Sequence, residues 1–398
     1  MANDVVLNSA VRSNLRTLQS TTQILNQTEE RLATGKKVNS ALDNPANFFT
    51  ANALDRRAGD LSSLLDQVAN SVKTLEAADN GVKAITEIVE GLKATARAAL
   101  QSPLAVDEKA AITSAALPDG ATSKNLLGGT GSPLASGDTL VVKDADGANV
   151  TVTFGTGAGQ VDTIEELNKY FEDNNVLLDA TFNLSDKTLS ISADNSIANS
   201  TPVAATGTAT GAGNAFASGT FSDPVLDPDA ALKRANFADD YNAALKEINT
   251  LAKDANYNGV NLLMGDDLDV IFNEDGTSKL NVKGVQFDAS GVGLSPITEQ
   301  DFYDSGSINT VLDQIDGAFK TIEAQSSKFG SQLQIVQTRE VFTKDMIGTL
   351  EDGANGLTAA DTNEEAANLA TLQTRQSLIV TSLSISTQQE SAVLQLLR

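Results

Sequence analysis

Residues 61–99 read LSSLLDQVANSVKTLEAADNGVKAITEIVEGLKATARAA, and the spacing of their apolar positions decides the fold. Leu61, Leu65, Val68, Val72, Leu75, Ala78, Val82, Ile85, Val89, Leu92, Ala96 and Ala99 recur three or four residues apart without interruption. That is the repeat of one helix face. Asp66, Gln67, Lys73, Asn80 and Lys83 fall on other faces, so the spacing predicts a long amphipathic helix with a seam close to that of a coiled coil. Gly81 and Gly91 weaken it locally, by about 1 kcal/mol each relative to alanine.

The eight prolines leave 46–102 and 297–398 clear, and these are the runs in which long helices can form. In the second run Ile308, Leu312, Ile315, Phe319, Ile322, Ser326, Phe329, Leu333, Val336, Glu340, Thr343, Ile347 and Leu350 repeat the pattern, broken only at Ser326, Glu340 and Thr343. A bundle core is therefore expected at Leu61, Leu65, Val68, Val72, Leu75, Val82, Ile85, Val89 and Leu92 on one helix. Its counterpart is Ile315, Phe319, Ile322, Phe329, Leu333 and Val336 on the other. Thinner stripes occupy the two ends: Val11, Leu15, Leu18, Leu25 and Leu32, and Leu369, Leu372, Ile379, Leu383, Val393, Leu394 and Leu397. An ordinary intramolecular bundle explains any one stripe. Helices several-fold longer than average, with ends too sparse in leucine to hold alone, point instead to packing against other copies.

The composition excludes most other functions. The chain has 398 residues and a net charge of −24, with no Cys, His or Trp. Thiolate and imidazole chemistry, the common zinc sites and disulfides are thereby removed. The negative field disfavours nucleic acid and anionic lipid as partners. No apolar run reaches the ~20 residues of a membrane span, and Met1-Ala2-Asn3-Asp4 does not open a cleavable signal peptide.

From 111 to 229 the pattern changes. Thr139–Val142 and Val150–Phe154 read as strands joined at Asp146-Gly147, Thr163–Phe171 as a short helix, and Leu177–Leu184 with Thr188–Ser192 as a second hairpin. Thr201–Gly219 is low-complexity and reads as a loop. This stretch holds fifteen acidic and four basic side chains, against thirteen and twelve in residues 1–110, as expected of a solvated surface module. Residues 230–256 return to helix, and Asp269–Phe272 with Leu280–Phe287 reads as another hairpin.

Candidate chemical sites are weak. Gly155-Thr156-Gly157-Ala158-Gly159 has no third glycine at the spacing a dinucleotide cradle needs. Glu30 replaces the first glycine that a nucleotide-binding P-loop ending at Gly35-Lys36 would need. Asp266, Asp267, Asp269, Asn273, Glu274 and Asp275 miss the calcium-loop spacing and read as solvated turns. No catalytic, cofactor or metal residues are expected, and no enzyme activity.

Several motifs carry a family likeness. Glu30-Arg31-Leu32-Ala33-Thr34-Gly35-Lys36-Lys37-Val38-Asn39-Ser40-Ala41, then Asp43-Asn44-Pro45-Ala46, then Asn258-Gly259-Val260-Asn261-Leu262-Leu263, and the Leu-rich end Ser391–Arg398 resemble those of bacterial flagellin of the alphaproteobacterial type. The matches cover roughly 1–100 and 230–398. The resemblance implies a mainly α fold, a long antiparallel helical bundle or coiled coil from both termini, with a small β hairpin and an inserted α+β outer domain. Its parts would be a filament-core helix at 1–45 pairing with another at 355–398, a bundle at 46–110 and 230–354, and a variable surface domain at 111–229. It further implies a structural subunit of the flagellar filament, exported without a cleaved signal to the cell exterior. The implied partners are copies of itself, cap and hook-junction proteins, an export chaperone and the export apparatus, with neither nucleic acid nor membrane insertion. Gly91–Ala98 departs from the family's immunostimulatory motif, which implies weak activation of the vertebrate flagellin receptor. Two alternatives share the architecture: a hook–filament junction protein, and a surface adhesin that binds glycans through its insert.

Overall fold

The computed structural model describes residues 9–129 and 131–396, the side chains of Ala10, Glu390 and 393–396 excepted. The chain is mostly helical, 56%, with six helices and four small sheets among the described residues. The order is α1 (Ser9–Thr34), α2 (Pro45–Gln101), β1 (Val106–Glu108), β2 (Ala111–Thr113), β3 (Thr139–Lys143), β4 (Asn149–Thr153), α3 (Ile164–Asp173), β5 (Leu178–Asn183) and β6 (Thr188–Ala193). Then come β7 (Val225–Leu226), α4 (Pro228–Asp254), β8 (Leu268–Ile271), β9 (Lys279–Val282), α5 (Ser305–Thr358) and α6 (Thr362–Leu396). The fold divides into two units, one holding the chain up to Val72, Asp269–Asn281 and the chain from Gln334 on, the other the remainder.

In the first unit the helix ends are set by side chains. Gly35 leaves α1 with φ of 68°, the left-handed cap that glycine adopts without a Cβ clash. Asn44 accepts from the Asn47 amide (3.1 Å) to cap α2, and Pro45 takes the first helical position, where its missing N–H costs nothing. Asp361 caps α6 through the amides of Asn363 (2.9 Å) and Glu364 (3.3 Å). The two connectors bond to each other, Lys37 N–H to Thr358 O (2.7 Å) and Ala360 N–H to Gly35 O (2.9 Å). A small core of Ala58, Leu61 and Leu350, flanked by Leu54, Leu64, Met346 and Ile347, joins this part of α2 to α5.

In the second unit every seam position of α2 from Leu75 to Ala99 is buried. Here Gly81 has a packing role. A methyl group on it would lie 2.7 Å from Leu263 Cδ1 and 2.8 Å from Ala255 Cβ, so its absence lets α2 approach the turn after α4. That turn is the Asn-Gly motif. Asn258 and Gly259 have φ of 51° and 82°, and Tyr257 and Val260 exchange backbone hydrogen bonds of 3.0 Å across them, as in a type I′ turn. Buried Asn261 then donates to Ala252 O (2.8 Å) and Lys253 O (2.9 Å), closing the C-terminal end of α4. Fully buried Arg234 of α4 donates to the carbonyls of Ser102 (2.9 Å), Pro103 (2.7 Å), Phe302 (2.8 Å) and Tyr303 (3.2 Å).

Residues 111–229 contain an antiparallel sheet of order β2-β6-β5, the hairpin β3-β4 and helix α3. Asn168 fixes α3 to β5 by bonding both backbone groups of Ala180, at 2.6 and 3.0 Å. The low-complexity stretch after Thr201 has little regular structure, yet Ala205, Ala209, Ala215, Phe216 and Phe221 are buried in this part's core. Its small residues serve close packing as well as looping. The hairpin expected to reach Phe287 is shorter: β9 ends at Val282, and Val285 and Phe287 instead donate to Leu262 O and Leu263 O, both at 2.8 Å.

Candidate assembly surfaces

Helices α1 and α6 run antiparallel. Asn14 donates to Ser382 (3.4 Å), Gln376 to Thr22 (3.4 Å), and Arg31 pairs with Glu365 (3.3 Å); as one chain position advances its partner recedes in step. The pairing uses polar side chains because the apolar stripe is thin. Val11 and Leu25 of α1 are buried, Leu18 and Leu32 half-buried, and Leu15 exposed. On α6 Leu369, Leu372, Ile379 and Leu383 are all only half-buried. The side chains of Val393 and Leu394, and Leu397 as a whole, lie outside the described residues. Among the bundle positions Leu61, Val68, Val72, Leu75, Val82, Ile85, Val89, Leu92, Ile315, Ile322, Phe329 and Val336 are buried, whereas Leu65, Phe319 and Leu333 are half-buried. The Phe319 ring is covered by the Lys93 ammonium, 5.5 Å from its centroid.

A second apolar surface lies off these seams. Ile335 and Phe342 of α5, and Leu378 and Ile385 of α6, are exposed and spaced one heptad apart. At 100° per residue each pair lies roughly 120–140° round its helix from the seam. Val341, Val380, Ile24 on α1 and Phe49 on α2 are also exposed, at other positions round their helices. These residues were missed by reading only the strongest stripe. The signal that finds them is a second heptad repeat of large apolar residues on a helix whose first stripe is already assigned.

The connector between α1 and α2 presents a single apolar side chain, Leu42, which is 95% exposed. It is held out by a tight turn. The Asp43 carboxylate accepts from the Ser40 amide (2.9 Å), the Ser40 hydroxyl (3.0 Å) and the Asn39 amide (3.1 Å). Those bonds, the Ser40 amide foremost, hold the Asp43 carboxyl below the usual aspartate range.

The other candidate sites are filled by the protein's own groups. In the Gly155–Gly159 loop the Gln160 carboxamide accepts from the Gly157 amide (2.9 Å), occupying the concavity a phosphate would need. Asp266, Asp267 and Asp269 accept from the Asn261 amide (2.9 Å), Lys283 (2.5 Å) and Asn281 (2.6 Å), and Glu274 pairs with Arg57 (2.7 Å). Among the described residues no group of His, Cys, Asp or Glu is arranged to hold a metal, and no helix is long and apolar enough to cross a membrane.

Residues 5–116 match the bacterial flagellin N-terminal helical region. The chain is 30% identical to flagellin FljK of Caulobacter vibrioides over 175 residues, 43% of this chain and 63% of that relative. It is 31% identical to a flagellin of Brucella melitensis over 163 residues, 38% of this chain and 57% of the relative. Over 99% of both chains it is 24% identical to flagellin A of Rhizobium meliloti. The chain thus spans about 63% of the length of the Caulobacter relative, and the whole length of the Rhizobium one. The matched N-terminal region takes in α1 and the whole of α2, and the likeness to the Rhizobium protein carries on through α6, so along these helices the chain is similar to flagellins of alphaproteobacteria.

Proposed function

We propose that the chain is a structural subunit, not an enzyme, that polymerises into the flagellar filament for swimming motility. One observation carries this reading: helices α1 and α6 cover each other only half, while large apolar residues stand exposed on α5 and α6. Each Å² of such surface covered by a neighbouring copy contributes about 25 cal/mol. In this reading α1 and α6 are the paired filament-core helices, α2, α4 and α5 supply the helical bundle, and residues 111–229 are the variable surface domain. The terminal helices complete their ordering when neighbours cover them, so ordering entropy is spent at assembly and early polymerisation is held back. The Gln, Ser and Thr side chains that dominate the α1/α6 contact tolerate small axial slips, as a propeller requires. Its partners are further copies, the cap and hook-junction proteins, and the export chaperone and apparatus that deliver it outside the cell.

The test is growth from sheared filament seeds, followed by sedimentation and negative-stain electron microscopy. Long tubes are expected from the wild type, and loss of growth when the terminal ~40 residues at either end are removed. Leu378→Asp with Ile385→Asp should also stop growth while leaving the helical circular dichroism of the monomer intact, since both side chains are exposed there. Monomers that only cap the seeds would turn the assignment to a junction protein. Normal tubes from the double variant would show that this face of α6 is not covered by a neighbour.

A further inference from the structure

Residues 111–229 carry a groove and a knob at opposite ends of one strand. The groove, about 380 Å³, opens where β5 begins, between Val142, Leu177, Leu178, Ile197, Pro202 and Val203. Its wall at Val203 is 63% exposed. Lys143 is exposed on the rim and has no ion-pair partner among the described residues. Its neighbour Asp144 is turned into its own hairpin, accepting from the amides of Asp146 (3.0 Å) and Ala148 (2.7 Å). The knob is Leu184, 68% exposed in the turn between β5 and β6. That turn is braced: Asn183 accepts from the Ser185 amide (2.9 Å) and donates to Asp186 (2.7 Å), and Lys187 bonds Asp119. Asp186 has no ion-pair partner among the described residues, its neighbour Lys187 being engaged by Asp119. Because β5 runs from Leu178 at the groove to Asn183 beside the knob, the two sites are about 20 Å apart at ~3.3 Å per residue.

We propose that Leu184 of one copy seats in this groove of a second copy, with Asp186 facing Lys143. The inference rests on the reading that the chain polymerises. A knob and a hole at different places on one molecule make a heterologous contact, which repeats from copy to copy and does not close into a pair. Its size defines its role. A stable interface buries more than about 1,000 Å², far beyond one leucine, so the contact does not form between free monomers. It adds to copies already held side by side, where the local concentration of partner is high.

The chain contains no cysteine, so a disulfide can report the contact directly. The chain carrying both Leu184→Cys and Val203→Cys is assembled on seeds, oxidised mildly and run on a non-reducing gel. The expected result is a ladder of dimers, trimers and longer species, abolished by reductant and absent from either single variant. Asp186→Lys should lower the yield of the ladder and Lys143→Asp added to it should restore the yield. Polymers of the double variant that form normally but give no ladder overturn this contact and leave polymerisation standing. A ladder indifferent to both charge changes overturns the Asp186–Lys143 pairing. A wild-type chain that does not grow from seeds overturns the polymerisation reading and this contact with it.

Discussion

Two glycines ten residues apart on α2, Gly81 and Gly91, behave in opposite ways. Gly91 has open space around the position of a Cβ, whereas Gly81 is pressed against Leu263 and Ala255. Gly91→Ala should therefore raise the stability of the monomer by about 1 kcal/mol through helix propensity. Gly81→Ala should lower it by about 1–3 kcal/mol through overpacking. Urea unfolding of the two variants measures both, and equal stabilisation would mean that the turn after α4 yields freely. Arg234 makes the complementary case. Burial pushes its guanidinium below the usual range, opposed by the Asp304 carboxylate, and four carbonyls take its donors. Arg234→Met leaves those carbonyls buried without partners and is expected to cost about 3–5 kcal/mol, seen as a lower unfolding midpoint. A loss below 1 kcal/mol would mean that water replaces the guanidinium there.

At the scale of elements, the connector from Gly35 to Asn44 depends on one carboxylate. Because the folded state holds the Asp43 carboxyl below its ordinary value of 3.8, the unfolded turn binds the proton more readily. The order it confers is present above that value and is lost as pH falls through the lower folded value. Amide exchange at Asn39 and Ser40, corrected for intrinsic rates, should be slow at pH 5 and fast below pH 3; unchanged protection factors would show that Asp43 does not hold the turn. The long helices were legible because a seam of apolar residues at helical spacing leaves few other folds, and the hairpins because Asp146-Gly147 and Ser185–Lys187 punctuate alternating runs. Strands β1, β2 and β7 were not, since two or three residues carry no period. Nor could spacing alone show that Gly81 sits in a close contact, that Ala205 and Ala209 are buried, or that Leu42 is displayed. Those properties are fixed by residues distant in sequence. Of the residues proposed for assembly, the seam positions follow from the strongest repeat, whereas the second stripe of α5 and α6 contributes only two heptad positions on each helix and emerges only once the first stripe is assigned.

At the scale of the whole molecule, charge opposes apolar burial. Each copy carries −24, so neighbours in a polymer repel over the Debye length, about 10 Å at 0.1 M salt and 30 Å at 0.01 M. Seeded growth, followed by light scattering, should therefore quicken several-fold between 10 and 150 mM salt, on the screening scale just given; growth that slows on adding salt would mean that ion pairs, and not apolar seams, hold the copies together. The strand pair β1 and β7 makes a second test available. Val106 lies opposite Leu226 and Glu108 opposite Val225, so the chain enters and leaves the intervening part at one place. Joining Glu108 to Val225 by a short turn removes residues 109–224, and with them thirteen acidic and five basic side chains, about a third of the net charge. Arg234, its backbone partners and the helices α1, α2, α4, α5 and α6 remain. The shortened chain should still grow from seeds, with a weaker dependence on salt, because the apolar seams that drive growth lie outside the removed part. Failure to grow by a shortened chain that keeps its helical circular dichroism would move the driving surface from the helices to the removed part.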